Sequence, residues 1–241
     1  MNSVILEIRA GAGGNEAGLF VAELFRMYKR FCEKQGLSFK EISRKEGGIG
    51  NLAEVSAEIG PQNPPSANPY TLFKNETGVH RVQRIPSTEK SGRIHTSAVT
   101  VAVLPKVTAR EVSINPADIK IDFYRSSSKG GQNVQKVSTA VRLTHIPTGV
   151  IATCQEERSQ FQNRERAMSI LCSRLYEMMQ KQQKGKVDEL RRDQIGTGDR
   201  GEKIRTYNFP QDRITDHRLN KSFHHMETIL DGNLLPLLQS F

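Results

Sequence analysis

Hydrophobic and polar residues alternate along the chain with the two-residue period of strands or the period of about 3.6 residues of helices. The first predicted strand runs from Val4 to Arg9 and enters a glycine-rich turn over residues 10–16. A helix is predicted from about Gly18 to Lys34, with Gly36 as its stop. We expect one face of this helix to be buried in a core, namely Leu19, Ala22, Phe25, Tyr28 and Cys32.

Beyond this helix, the pattern predicts two globular regions, and the end of the chain returns to the first of them. The first region continues with a strand at Leu52–Ile59, a proline-rich loop at Pro61–Pro69 and an alternating valine strand toward Pro105. The chain passes into the second region over Val107–Asp118, and this region contains strands within Ile119–Cys154, with a turn at Pro147-Thr148-Gly149, and a helix at about Asn163–Lys184. A charged, glycine-rich linker at Gly185–Asp216 and a last helix near Ser222–Leu230 follow.

These elements indicate an α+β fold with two α/β-sandwich-like domains, in which the C-terminal segment returns to the first domain. The predicted boundaries are residues 1–112 for the first domain, 113–190 for the second, 191–206 for a linker and 207–241 for the returning segment.

Composition narrows the function classes. The 241 residues carry a net charge of +9, which favours a polyanionic partner such as nucleic acid, and 36% hydrophobic residues suffice for real cores. No apolar run approaches a membrane span and the N-terminus lacks a signal-peptide pattern, so we expect a soluble, intracellular protein. Three widely spaced cysteines indicate neither a disulfide framework nor a metal site. We predict no metal and no cofactor.

The loop of residues 128–135 carries the most specific chemistry. Gly130 and Gly131 let the backbone approach a substrate closely, and Gln132 offers backbone and side-chain donors that do not ionise near neutral pH. Such a group can orient water or stabilise an oxyanion, but it is not a strong base. Taken alone, the tripeptide would be read as a surface turn.

Three segments, in this order, resemble bacterial-type peptide chain release factors. They are His80–Ser97, the Gly-Gly-Gln loop and Ile195–Pro210, and the similarity extends from about Val4 to Leu235. Members of this family read stop codons on the ribosome and hydrolyse peptidyl-tRNA. Within the family, Pro86-Ser87-Thr88 resembles the Pro-x-Thr form, which implies that UAA and UAG are read.

The resemblance assigns codon-reading roles to individual residues. Thr88 would contact the first two bases, and the ring of His95 would insert between the second and third. Gln83 and Thr96 would contact the third base, where an amide or hydroxyl can accept either A or G because its hydrogen-bonding polarity can reverse. Gly13 and Glu16 match the family's first-base contacts. Taken singly, His95 could instead be a core histidine, Glu16 an ordinary helix-terminal charge and Gln83 a solvated polar residue.

By the same resemblance, Gly130, Gly131 and Gln132 form the protein part of a composite site with ribosomal RNA. The Gln132 backbone N–H would stabilise the oxyanion and its side chain would position water, so whether the chain alone is an enzyme is left open. The implied partners are the ribosome at its decoding and peptidyl-transferase centres, the mRNA stop codon, P-site peptidyl-tRNA and a glutamine methyltransferase that modifies Gln132. The expected location is cytoplasmic.

The chain also differs from the family. Ser128 and Lys129 replace glycine and alanine in the loop, and the resemblance begins at the family's second domain, without the N-terminal helical domain. Two other functions therefore stay open, a codon-independent rescue hydrolase for stalled ribosomes and a noncatalytic ribosome- or RNA-binding factor. The codon-reading segment argues against the first, and an intact Gly-Gly-Gln against the second.

Overall fold

The computed structural model describes residues 3–48, 50–61, 68–86, 89, 92–106, 115–125 and 138–240. The chain forms two compact units. The first unit contains Met1–Val107 and Val187–Phe241, and the second contains Thr108–Lys186. The sequence placed the corresponding boundaries at 112/113 and 190/191. The α+β class and the return of the C-terminal segment to the first unit are confirmed.

The first unit is built on an eight-stranded mixed sheet in the order β11-β10-β9-β4-β5-β1-β3-β2. Neighbours are antiparallel except β4 and β9, which are parallel and join the returning segment to the rest of the sheet. The elements are β1 (Val4–Ala10), α1 (Asn15–Lys34), β2 (Leu37–Glu46), β3 (Leu52–Pro61), α2 (Pro69–Phe73), β4 (Gly78–Arg84), β5 (His95–Pro105), β9 (Lys203–Asn208), β10 (Arg213–Asp216), β11 (Lys221–His224), α4 (Met226–Leu230) and α5 (Leu235–Leu238).

The second unit is a three-stranded antiparallel sheet, β6-β7-β8, covered by a long helix. The strands are β6 (Ile119–Tyr124), β7 (Ala140–His145) and β8 (Ile151–Cys154), and the helix is α3 (Gln160–Ile195), within which the unit boundary at 186/187 falls. The predicted turn at 147–149 does join two strands, β7 and β8. Buried Ala167, Leu171 and Leu175 recur every four residues, so one face of α3 covers the sheet.

Helix α1 supplies much of the first unit's core. It begins at Asn15 rather than Gly18, and its buried face is centred on Phe20, Leu24 and Phe31. Of the predicted buried residues, Phe25, Tyr28 and Cys32 are buried, whereas Leu19 and Ala22 are only partly buried. The helix packs on β1, β3 and β5 and also meets α4, so its apolar face is wider than a single stripe.

Several other elements differ from the prediction. Strands β2 and β4 were missed, β2 because it is a charged edge strand, which is a common protection against edge pairing. The predicted last helix at 222–230 is a strand followed by α4, because His225 adopts a left-handed φ of 61° between them. The predicted linker from Gly185 contains the last turns of α3 and both β9 and β10.

Residues 62–67 of the proline-rich loop and residues 107–114, where the chain passes into the second region, lie outside the described residues. No helix within the described part of the chain is long and apolar enough to cross a membrane.

A buried ion cluster joins the returning segment to the rest of the sheet. Arg205 on β9 is fully buried and donates to both oxygens of Glu76 at 2.6 Å and to Asp216 on β10 at 2.9 Å. Tyr28 of α1 donates to Glu76 at 2.9 Å. Burial alone would raise the pKa of Glu76, but the Arg205 guanidinium outweighs it and holds the pKa below its usual range. Both carboxylates therefore stay charged and paired.

His80 of β4 lies against this cluster in its neutral form. Its Nε2 is 2.8 Å from the carbonyl oxygen of Glu76 and must carry a proton, because a carbonyl only accepts. Its Nδ1 faces the hydroxyl of Tyr207 at 3.3 Å. Burial lowers the pKa of His80 to about 4, although the Glu76 carboxylate acts to raise it.

We expect His80 to make the first unit sensitive to acid. Its pKa is about 4 in the folded protein and ~6.5 when unfolded, so the unfolded state binds the extra proton first as pH falls. The stabilisation is complete above about pH 6.5 and falls, by an amount on the order of 3 kcal/mol, as pH approaches 4. Denaturant unfolding at several pH values checks this. His80→Gln, which cannot titrate, should flatten the slope over this range, and an unchanged slope in this variant would contradict the assignment.

Candidate nucleic-acid interface

Three of the predicted codon-reading positions lie around the end of the β4–β5 ladder. Gln83 pairs with Thr96, and the next pair is Arg84 with His95. Residues directly opposite each other share a face of the sheet, and successive pairs alternate between faces. The ladder therefore brings Gln83 and Thr96 together on one face and places His95 on the other, toward α1. This arrangement divides the predicted third-base contacts from the predicted first-base contacts.

The glycine-rich turn before α1 is fastened alongside β5. Gly11 N–H donates to the carbonyl of Ala98 at 2.9 Å, and Ala98 N–H donates to the carbonyl of Ala12 at 2.8 Å. Gly13, with φ of 135°, lies against Ser97, which is only 1% exposed. A Cβ at Gly13 would be 2.2 Å from the Ser97 hydroxyl oxygen. Glycine at this position thus lets the start of α1 lie directly on β5.

Glu16 is neither a free helix-terminal charge nor an exposed ligand. Its carboxylate is buried and bound to Nε of Arg84, whose Nη1 binds both oxygens of Glu23 at 2.7 and 2.8 Å. The Arg84 guanidinium also lies 4.8 Å from the centre of the Phe209 ring. Burial lowers the pKa of Arg84, but the bonds to Glu23 and Glu16 outweigh it and raise the pKa above its usual value.

Between β4 and β5, Glu89 contacts both Pro86 and His95. Pro86 is buried, and Glu89 N–H donates to the Pro86 carbonyl at 3.0 Å. Nε2 of His95 lies 2.6 Å from the Glu89 carboxylate, and the His95 side chain is 43% exposed. His95 is therefore not a core histidine, and its ring is available at the surface. Ser87 and Thr88 lie outside the described residues.

The predicted catalytic residues Gly130, Gly131 and Gln132 also lie outside the described residues, as do Ser128 and Lys129. The flanking strands are described. Phe123 on β6 pairs with Val141 on β7, and Arg142 lies 5.4 Å from the centre of the Tyr124 ring. The two strands on either side of this loop in the sequence, β6 and β7, are thus adjacent and antiparallel.

Sequence reasoning missed four residues that build the site. Glu23, Phe209 and the pair Arg84 and Ser97 come from three distant parts of the sequence, so no short motif joins them. One signal was available: Glu16 and Glu23 are seven residues apart and therefore share one face of α1. Two carboxylates on an otherwise buried face require a cationic partner.

The chemistry of this surface suits hydrogen bonding to unpaired bases. An amide and a hydroxyl lie side by side, an imidazole is exposed on the opposite face, and the first backbone N–H groups of α1 have no partner within the helix. Among the described residues, no three His, Cys, Asp or Glu side chains form a cluster that could hold a metal ion.

Comparisons with known proteins match nearly the whole chain. A family model described as the PCRF domain matches residues 1–101, and one described as the RF-1 domain matches residues 107–218. Peptide chain release factor 1 of Thermoanaerobacter pseudethanolicus is 53% identical over 99% of this chain and 65% of that protein. The protein of the same name from Chlorobaculum tepidum is 54% identical over 99% of this chain and 66% of its own length.

The peptide chain release factor 1 of Thermotoga maritima is 48% identical over 97% of this chain and 67% of its own length. Among solved structures, RF2 of Thermus thermophilus is 37% identical, with a TM-score of 0.57 over 98% of this chain and 66% of that one. The chain thus spans about two thirds of the length of the proteins it resembles, 65% and 66% of the first two named.

The contact between Gly13 and Ser97 predicts unequal effects of two neighbouring glycine substitutions. Gly13 and Gly14 both have positive φ, but only at Gly13 would a Cβ meet another residue. We expect Gly14→Ala to cost about 1–3 kcal/mol of backbone strain, and Gly13→Ala roughly 1–3 kcal/mol more from overpacking against Ser97. Denaturant unfolding of the two variants measures the difference. Equal losses would show that the start of α1 is not held tightly against β5.

Proposed function

Because the chain belongs to the family of bacterial-type peptide chain release factors, we propose that it reads UAA and UAG stop codons in the ribosomal A site and promotes hydrolysis of the peptidyl-tRNA ester. The observation that carries this proposal is the end of the β4–β5 ladder. There Gln83 and Thr96 lie opposite each other, beside the exposed ring of His95. Pro86-Ser87-Thr88 follows β4 in the sequence, as expected of a segment that reads UAA and UAG.

The first base would meet the start of α1. The Glu16 carboxylate is occupied by Arg84, so the contact would come from the backbone at Gly13 and Glu16 rather than from this side chain. Backbone N–H groups at a helix start have no intrahelical partner and can donate to a uracil carbonyl. Because Gly13 has no Cβ, a base can approach the backbone closely.

The second and third bases would be separated by the ladder itself. His95 faces the α1 side, whereas Gln83 and Thr96 lie on the other face. A base stacked on the His95 ring would be followed by one that turns past the strand toward Gln83 and Thr96. An amide and a hydroxyl can donate or accept there, so either A or G is accommodated.

Hydrolysis is assigned to the loop containing Gln132. The ester requires a positioned water molecule and a donor for the developing oxyanion, and the Gln132 backbone N–H would be this donor. No protein acid or base takes part in this scheme, in which ribosomal RNA supplies most of the site. Gly130 and Gly131 would allow the backbone to reach the ester.

The partners that follow from this proposal are the ribosome, the mRNA stop codon and P-site peptidyl-tRNA, at a cytoplasmic location. A glutamine methyltransferase that modifies the Gln132 side chain also belongs to the proposal. Mass spectrometry of the peptide containing Gln132, taken from protein made in its own cells, tests the modification, and an unmodified peptide would contradict it.

The segment over residues 191–206 is proposed to couple codon reading to release. In the first unit, Arg191 binds Glu7 through two hydrogen bonds of 2.7 and 2.8 Å, and the Gln194 amide bonds both the N–H and the carbonyl of Val103 on β5. Gly196 and Gly198 follow with φ of 55° and 73°. The Glu202 carboxylate then accepts from Thr197 N–H at 2.9 Å. The part of this segment between α3 and β9, residues 196–202, is thus held by a few polar contacts that codon binding could exchange.

Release assays on programmed ribosomes test the function. We expect peptide release on UAA and UAG but not on UGA or a sense codon. Gln132→Ala keeps its backbone donor and should slow release, whereas Gln132→Pro removes the N–H and should slow it further, since loss of one oxyanion donor typically costs ~10²–10³ in rate. Ribosome binding should persist in both variants.

Each alternative outcome of these assays has a definite meaning. Equal release on all four codons would identify a codon-independent rescue hydrolase, and no release on any codon would leave only RNA binding. Equal activity of Gln132→Ala and Gln132→Pro would refute the backbone-donor mechanism without affecting codon recognition.

The coupling segment is tested with two alanine substitutions of similar backbone strain. Gly198 has φ of 73° and Gly50 has φ of 67°, and both lie in the first unit. We expect Gly198→Ala to slow release at saturating factor on UAA while leaving half-saturation unchanged, because its Cβ would lie 3.3 Å from the Thr100 side chain of β5 and would shift the coupling segment, whereas a Cβ at Gly50 would meet no other residue. Gly50→Ala is the control for general strain. Identical release kinetics in the two variants would show that residues 191–206 only connect.

A further inference from the structure

Arg84 is the point at which three separate parts of the candidate site meet. It is the last residue of β4, lies two positions before Pro86 and pairs across the ladder with His95. Its guanidinium binds Glu16 in the first turn of α1 and Glu23 two turns later, and it lies over the Phe209 ring of the returning segment. The side chain is only 15% exposed.

The contacts use the planar, forked shape of arginine. Nε is directed to Glu16, Nη1 to both oxygens of Glu23, and the flat face covers Phe209. A lysine ammonium at this position would keep the charge but could not bind two carboxylates in one plane and also stack. The geometry, not merely the positive charge, therefore holds these elements together.

The Glu16 carboxylate depends on Arg84 for its counter-charge more than the Glu23 carboxylate does. The Glu16 side chain is 2% exposed, against 27% for Glu23, and within the described structure its Oε2 has no hydrogen-bond partner. Loss of the Arg84 fork would leave a buried carboxylate without a counter-charge. The start of α1 would then have to move until Glu16 reached water, and Gly13 would move with it.

We propose that Arg84 is a positioning residue for stop-codon accuracy, which fixes the first-base backbone at Gly13 and Glu16 relative to the segment that begins at Pro86. This inference rests on the proposed function. Arg84 touches no base in this scheme. It sets the distance between the two parts of the site that contact the codon, one on α1 and one after β4.

The test compares Arg84→Lys with Arg30→Lys in release assays. Arg30 lies on the same helix that Arg84 binds, and its ion pair with Asp231 is at the surface. We expect Arg84→Lys to raise the factor concentration for half-maximal release on UAA and UAG about tenfold, as for a lost charged hydrogen bond, with the maximal rate unchanged. Its discrimination against a sense codon that differs from UAA in the first base should also fall. Arg30→Lys should match the unchanged protein.

Glu23→Gln supplies a second variant should Arg84→Lys fail to fold. It removes one acceptor from the fork at a partly exposed position, and we expect a smaller change of the same kind. In the double variant the effects should not add, because both act through one contact. Full additivity, an unchanged half-saturation in Arg84→Lys, or an equal loss of maximal rate on every codon would each overturn the inference.

Amide hydrogen exchange separates this inference from the proposed function. Exchange at residues 11–20 should accelerate in Arg84→Lys but not in Arg30→Lys, whether or not ribosomes are present. If the unchanged protein releases no peptide at stop codons, the proposed function fails while the exchange result still decides whether Arg84 positions α1. Unchanged exchange at residues 11–20 would overturn the positioning role itself.

Discussion

The first unit depends on the buried arginine Arg205. A guanidinium removed from water requires compensating charge, and Glu76 and Asp216 supply it from two different parts of the chain. This requirement brings β9 beside β4, in the one parallel pairing of the eight strands described in this sheet. Tyr28 extends the cluster to α1. The C-terminal segment is thereby an integral part of the sheet rather than an appended tail.

The candidate site is a consequence of this pairing. Once β9 lies beside β4, the turn that follows β9 brings Phe209 against Arg84 at the end of β4. Arg84 in turn reaches the two carboxylates of α1, while Gly13 rests on Ser97 of β5. The two arginines thus hold β4 at both ends, one through a fully buried cluster and the other through a partly exposed one. The exposed end is where the polar side chains of the proposed reading site lie.

The alternation of side chains along β4 and β5 accounts for the division of the proposed reading site. Gln83 and Thr96 share one face, and Arg84 and His95 share the other. Side chains that hold the structure and side chains proposed to read the codon are therefore interleaved along the same strands. A substitution next to a reading residue can alter accuracy through packing, without any contact to a base.

From the sequence alone, the α+β class, the start of the chain as strand then helix, the β7–β8 hairpin and the family were correctly predicted, because each rests on a local period, a turn or a long contiguous motif. The family resemblance also named Gln83, His95 and Thr96 as codon-reading residues; that role stays a prediction, and the structure brings the three to the same end of the β4–β5 ladder. It missed Arg84, Glu23 and Phe209 as one cluster, and Arg205 with Glu76 and Asp216 as another. Their partners are separated by up to 129 positions, and only the folded sheet brings them together. A charged residue looks the same in sequence whether solvated or buried, so its role was decided by tertiary structure, which sets the charge it must balance.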